Sequence, residues 1–401
     1  MADNISALDA LFKTVYVDRI AKAGYSNFPF LDWVPKKNRV IGNGVKVPII
    51  YGDDVAVSGT ATTGYSDFGG LSSTSYTATL GKIYGSTRLT GDAISSAGSK
   101  EAAFEEVYEA KVTGLRNAML RRLAGQVFRT GTGSVGQVGS TSGLSTTLTL
   151  ENRADIFNFE KGMRIQLSAT DGAAVRDSGD YVTITAVNTV AGTLTLDNAL
   201  SNISGATTGD YIVLSGDLNT CITGLSGWIT TSSSPGSLYG MSRTADVTRL
   251  SGVKSDGSGK QLDVALIDLC TEVSLHGGNP DAIWVNQLQY ANLVKLLQDG
   301  ARFVAPLNKG EVGFKGISIL TPDGPVPVMQ DRFCPGDRAY ALQKDTWQVF
   351  FQEGDLVHVP LQKNGAVWDQ VSGTDNWVML MRSFATMVCL NPGYNGVLYN
   401  L

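Results

Sequence analysis

The spacing of apolar residues switches several times between helix-like and strand-like periods, and the switches divide the chain into unlike parts. Leu8, Leu11, Phe12, Val15 and Ile20 recur at roughly helical intervals, which predicts a short amphipathic helix from Ile5 to about Ala23. Tyr25 to Pro35 is rich in aromatics and broken by prolines, so it is expected to be extended. Val45, Val47, Ile49 and Tyr51 alternate as in a strand, and so do Tyr76, Ala78, Leu80, Lys82 and Tyr84. Between them, Gly52 to Ser75 is mostly Gly, Ser, Thr and Ala. The two strands predict a long hairpin that buries too little apolar area to offset its own ordering entropy. Ordering against a partner is therefore expected.

The strongest helical pattern follows Ser99, a good N-cap. Phe104, Tyr108, Val112, Leu115, Met119, Leu123 and Val127 lie three or four residues apart. Glutamates crowd the first half and arginines the second, matching the helix dipole, and Gly131 and Gly133 end it. About 30 residues at 1.5 Å each make a rod of about 45 Å. From about Gly136 to Gly216 the texture becomes short strands separated by glycines and Asx residues: Thr147 to Leu150, Met163 to Leu167, Tyr181 to Val187, Thr193 to Leu196 and Tyr211 to Leu214. This predicts a small barrel or sandwich, joined by flexible connections at Gly131 to Ser145 and Gly216 to Asn219. The remainder reads as α/β, with helices at Leu262 to Leu275 and Leu288 to Gln298. Asp355 to Leu361 and Trp377 to Cys389 are expected as two long antiparallel strands.

Composition narrows the function. The chain has 401 residues, 17% of them charged, a net charge of -5 and no obvious basic face for gripping nucleic acid. The segment Met1 to Asp9 lacks the apolar run of a secretory signal, and no window approaches a membrane helix, so a soluble cytoplasmic product is expected. Cys221, Cys270, Cys334 and Cys389 are widely spaced and read as free thiols.

Catalytic chemistry is hard to place. His276 and His358 are the two histidines, one ending a helix and one inside a strand, and both read as structural. Gly224-Leu225-Ser226-Gly227-Trp228 lacks the last glycine of a nucleophile elbow. Gly81-Lys82 and Gly259-Lys260 lack the Ser or Thr and the earlier glycine of a phosphate loop. No catalytic residue, metal ligand or cofactor site is assigned.

The order of parts resembles the tailed-phage major capsid proteins of the Hong Kong 97-like fold. Local stretches carry the likeness too: Ser237-Leu238-Tyr239-Gly240-Met241 leading to Gly259-Lys260-Gln261-Leu262, then Gly277-Gly278-Asn279-Pro280-Asp281-Ala282-Ile283-Trp284-Val285-Asn286, then Pro325-Val326-Pro327-Val328-Met329-Gln330-Asp331 before Pro335-Gly336-Asp337. The resemblance implies an α+β fold. An N-terminal arm would take residues 1–44 and an extended loop 45–90. A peripheral domain with the long spine helix would take 91–135 and 352–389, and an axial domain 217–351 and 390–401. Residues 136–216 would be a small inserted all-β domain.

By the same resemblance, copies would self-assemble into hexamers and pentamers of an icosahedral shell around double-stranded DNA, without sequence-specific contact. Assembly in the bacterial host cytoplasm would use a separate scaffolding protein and a portal protein at one vertex, with a decoration or cement protein as a further partner and no membrane. Lys82 lies at the base of the loop, not its tip, which argues against a covalent cross-link there. The expected inter-subunit contacts are Phe28, Phe30 and Trp33 in the arm and Tyr65, Phe68, Tyr76, Leu80 and Tyr84 in the loop, with Arg121 and Arg122 against a neighbour's carboxylates. Two alternatives stand beside this reading: an encapsulin-type nanocompartment shell, and a β-rich glycan-binding protein.

Overall fold

The computed structural model describes residues 28–38, 40, 42–53, 60, 70–90, 101–140, 142–300, 317–352, 357–359 and 367–401, with backbone alone at 38, 101–110 and 297–300. The expected helix at Ile5 to Ala23, the Ser99 cap and the loop tip with Tyr65 and Phe68 lie outside the described residues.

A long helix, α2 (Glu101–Gln126), lies on a five-stranded sheet. Strand β18 (Asn376–Cys389) runs through this sheet. On one side it pairs with β4 (Gly81–Thr90), from Asn376 opposite Thr90 to Ala385 opposite Gly81. On the other it meets β16 (Trp347–Phe351) and β17 (Trp368–Gln370), and β1 (Lys36–Asn38) adds to β16 in parallel. Side chains alternate across the sheet. Ile83, Leu89, Met379, Met381 and Ala385 therefore share a core with Met119, Leu120 and Leu123 of α2. A Cβ at Gly85 would come within 2.8 Å of Leu115, so glycine lets the helix lie flat on the strand.

Two sequence expectations are corrected here. The partner of β18 over most of its length is β4; among the described residues of the segment expected at Asp355 to Leu361, His358 makes one isolated bridge, to Arg382. The strand expected from Tyr76 to Tyr84 is two strands, broken at Leu80. Gly81 passes so close to Ile222 that a Cβ would lie 2.3 Å from Cγ2, and the Lys82 N–H donates to the Thr220 carbonyl, turning the chain toward β18.

The arm and hairpin also differ from expectation. Tyr25 to Pro35 contains a helical turn, α1 (Pro29–Trp33), because proline is tolerated at the first helical position, where its missing N–H has no partner to lose. Phe30 packs 4.8 Å from the Phe128 ring and edge-on to Trp284 at 5.2 Å. The hairpin of β2 (Gly44–Gly52) and β3 (Ser72–Thr79) buries Val47, Ile49, Tyr76 and Ala78 in the same core. The stem of the hairpin is thus held by its own subunit, contrary to the expectation that it is ordered only by a partner.

Residues 134–214 form a six-stranded sheet in the order β5 (Ser134–Gln137), β10 (Tyr211–Leu214), β7 (Arg164–Ser168), β8 (Val182–Asn188), β9 (Thr193–Leu196) and β6 (Thr147–Thr149). Its ends meet: Val138 bridges Leu150, the Gly139 N–H donates to the Thr149 carbonyl and the Glu151 N–H to the Gln137 carbonyl, so the sheet closes into a barrel. All five strands expected in this region occur, and β5 is a sixth. Its core, including Leu148, Ile156, Ile165, Leu167, Leu194 and Ile212, is a cluster of its own.

The rest of the chain begins with two short helices, α3 (Leu225–Trp228) and α4 (Val247–Ser251), and then builds a second six-stranded sheet. Its order is β11 (Val253–Asp256), β19 (Gly396–Tyr399), β15 (Arg338–Leu342), β12 (Ala282–Val285), β14 (Gly324–Gln330) and β13 (Ser318–Thr321). Helices α5 (Leu262–Leu275) and α6 (Gln287–Gly300) cover one face through Leu266, Leu269, Val273 and Leu293, packed on Ile283, Val285, Val326 and Val328. The other face gives Trp284, Tyr340 and Leu342 to the main core.

Candidate assembly surface

Among the described residues no cluster of His, Cys, Asp or Glu could hold a metal ion, and no helix is long and apolar enough to cross a membrane. The four thiols are free, and burial pushes those of Cys221 and Cys270 up to about 12, so both stay protonated near neutral pH. What stands out is apolar surface left exposed at defined places.

The residues expected to touch neighbours divide into three groups. Phe28, Phe30 and Tyr76 are almost wholly buried within their own chain and have no surface left to offer, which corrects their assignment. The Tyr76 ring lies edge-on to Trp228, with centroids 5.5 Å apart. Trp33 and Leu80 are half-buried, and Tyr84 is 65% exposed. Arg121 and Arg122 meet carboxylates of the same chain: Arg121 pairs with Glu160 on the barrel, and Arg122 with Asp217 just after it. Adjacent arginines on one helix diverge in direction, and here each direction ends on a local acid.

Exposed apolar side chains that the sequence reading passed over include Ile50 and Leu71 at the distal end of the hairpin, and Leu380, whose strand partner is Ser86. The face of β4 and β18 turned away from α2 carries Lys82, Tyr84 and Arg88 beside Leu380, Arg382 and Phe384. Tyr84 and Phe384 meet edge-to-face at 5.6 Å, and the Arg382 guanidinium sits 5.5 Å over the Phe384 ring. This mix of aromatics and cations is typical of a contact surface. The only available signal was the alternation of β4, which puts Lys82, Tyr84 and Arg88 on one side.

The barrel is fastened, not hung on flexible links as expected. Thr130 and Ser134 donate hydroxyl hydrogen bonds to the Asp171 carboxylate at 2.8 and 2.7 Å, and Thr132 donates to the same group. The outgoing strand locks onto the incoming one: the Asn219 N–H donates to the Thr132 carbonyl at 2.9 Å and the Gly224 N–H to the Arg129 carbonyl at 2.9 Å. Gly131 and Gly133 have φ of 93° and 94°, in the left-handed region that favours glycine. A Cβ on Gly224 would sit 2.3 Å from the Val127 carbonyl oxygen. These glycines serve close approach, not mobility. Arg129 pairs with buried Asp155 and adds a further tie.

Asp331 fastens the arm. Its carboxylate is 2% exposed and accepts hydrogen bonds from the Phe333 N–H at 2.9 Å and the Phe30 N–H at 3.3 Å. Burial outweighs these bonds and pushes the carboxyl up to about 6.

The sequence matches the SU10 major capsid protein family over residues 50–373, most of the chain. The chain belongs to this family. It is a capsid shell protein, and the mixed α+β architecture above is the Hong Kong 97-like fold. A chain of the cyanophage A-1(L) capsid asymmetric unit is similar in structure, with a TM-score of 0.53 and 12% identity, covering 94% of this chain and 93% of that one. A chain of the native GTA particle capsid (TM-score 0.48, 9% identity, covering 93% and 90%) and the holo-SrpI encapsulin complex from Synechococcus elongatus PCC 7942 (TM-score 0.48, 9% identity, covering 93% and 86%) are more distant. No protein of curated function matches the sequence.

Proposed function

We propose that this protein is the coat of a tailed bacteriophage and acts mechanically, not as an enzyme. Copies associate into hexamers and pentamers, and these close an icosahedral shell around double-stranded DNA. Assembly takes place in the bacterial host cytoplasm with a scaffolding protein, and a portal replaces one capsomer. The observation that carries this reading is the family match over residues 50–373.

Neighbouring copies meet through Trp33, Leu80 and Tyr84, joined by Ile50, Leu71 and Leu380, and through the loop tip with Tyr65 and Phe68. Burying such apolar surface stabilises association by roughly 25 cal/mol per Å² before the costs of association are subtracted. The barrel is an insertion that braces its own subunit: its ties to Arg121 and Arg129 support this role.

Electron microscopy of the expressed protein tests the reading. Closed icosahedral particles are expected from the intact chain produced together with the scaffolding protein, and folded subunits without particles from a chain lacking residues 55–69 produced in the same way. Normal particles from the deletion would remove the loop from the contact set. Particles that carry an enzyme in place of nucleic acid, when recovered from the native source, would favour a nanocompartment.

A further inference from the structure

The α5-covered sheet leaves apolar surface bare on two opposite sides. Helix α5 buries Leu262, Ala265, Leu266, Leu269, Cys270 and Val273 against the sheet. Its outer side keeps Val264 (47% exposed), Ile267 (38%) and Leu275 (74%) in solvent, one stripe at helical spacing. The second patch follows from strand register. Ile319 and Val326 are opposite one another and buried under α5, so their neighbours point the other way. Leu320 faces Pro325 across the pair, and Met329 is level with Trp284, whose side chain belongs to the main core. On the inner strands the body of the subunit covers that face. At the edge none of the described residues does, and Leu320 is 76% and Met329 38% exposed, with Pro325 and Pro327 also exposed.

Each patch offers roughly 300 Å² of apolar surface, a size that on soluble proteins often marks an interaction site. Their flanks carry mixed charge: Asp263 and Glu272 border the α5 stripe, where Asp268 is paired with Lys260, while exposed Arg332 follows the β14 patch and Asp323 lies in the β13–β14 turn, bonded to Ser274. Since one patch is on the front of the layer and the other on the back, neither can satisfy itself by a two-fold contact that also covers the other. A head-to-tail contact covers both at once and repeats around a ring.

Building on the capsid reading, we propose that the α5 stripe of one copy seats on the β13–β14 face of the next, so that the two patches form one heterologous contact within the capsomer. Full-length Ile267→Asp and Leu320→Lys chains, and the chain carrying both changes, test this by electron microscopy and sedimentation, with folding checked by circular dichroism. Both positions are exposed, so all three are expected to fold. Should either not, Val264→Asp and Met329→Lys replace them. Each single variant is expected to lose particle yield by at least about tenfold, because a charge is driven into an apolar contact without a partner. The double variant is expected to recover, since the introduced carboxylate of one copy then meets the introduced ammonium of the next. Normal yield from the single variants, or a double variant no better than they are, overturns the pairing. Absence of particles from the unaltered chain produced together with the scaffolding protein strikes the capsid reading itself, so the two failures are distinguishable.

Discussion

The barrel and the hairpin are drawn from the same palette of Gly, Ser and Thr, yet they are stabilised in opposite ways. The barrel closes its strands through the Val138–Leu150 bridge and surrounds a private core. The hairpin has two strands, and Val47, Ile49, Tyr76 and Ala78 all enter the core of the main body. Closure removes edges and gives a strand set an inside. An open pair has only faces, and must borrow a core.

Four outcomes would break or sharpen this contrast. The largest is all or none. A polypeptide of residues 130–220 should fold alone with a cooperative thermal transition by circular dichroism, while residues 42–81 should stay unfolded; a structured hairpin peptide would end the comparison. Next, Tyr76→Ala should cost about 3–5 kcal/mol and Leu148→Ala about 2–5 kcal/mol. In denaturant titrations the first should shift the transition of the main body and the second that of the barrel alone. Tyr76→Phe should be close to neutral, because the Tyr76 hydroxyl is buried without a hydrogen-bond partner.

Asp331 gives a pH test of the arm. Its folded value, about 6, lies above the ordinary carboxylate value of 3.8, so the ionised form is penalised in the folded chain. The stabilising contribution is complete below the unfolded value and is lost as pH rises through the folded one, leaving the subunit up to about 3 kcal/mol more stable at pH 4 than at pH 8 from this group. Asp331→Asn should flatten that dependence, measured by urea unfolding across this range. The smallest destabilisation belongs to Gly224→Ala, expected to cost about 1–3 kcal/mol by forcing a Cβ against the Val127 carbonyl. An equal loss from Gly143→Ala, where a Cβ meets open space, would show that close approach is not the cause.

Much of this was legible in the chain. Helix α2 follows from its apolar spacing, and the barrel strands from alternation bounded by turn residues. What escaped had non-local causes. The break at Leu80 depends on Ile222, and the pairing of β4 with β18 on residues almost a chain length away. The linker glycines read as flexible because composition cannot distinguish a glycine that moves from one that admits a neighbour. The exposed apolar residues were hardest: aromatic character selected Phe30 and Tyr76, which the subunit keeps for itself, while the bare stripe of α5 and the bare Leu320 face needed to be seen against their covered sides.

The pairing of β4 with β18 also dictates a timetable. Its partners are ~300 residues apart, so at about 5–20 residues per second a ribosome needs ~15–60 s between making one and making the other. Throughout that wait the early strand has an open edge, whereas the barrel strands emerge together and can close at once. The nascent subunit is therefore most prone to aggregate through its first hundred residues, and it is there that a chaperone would be needed.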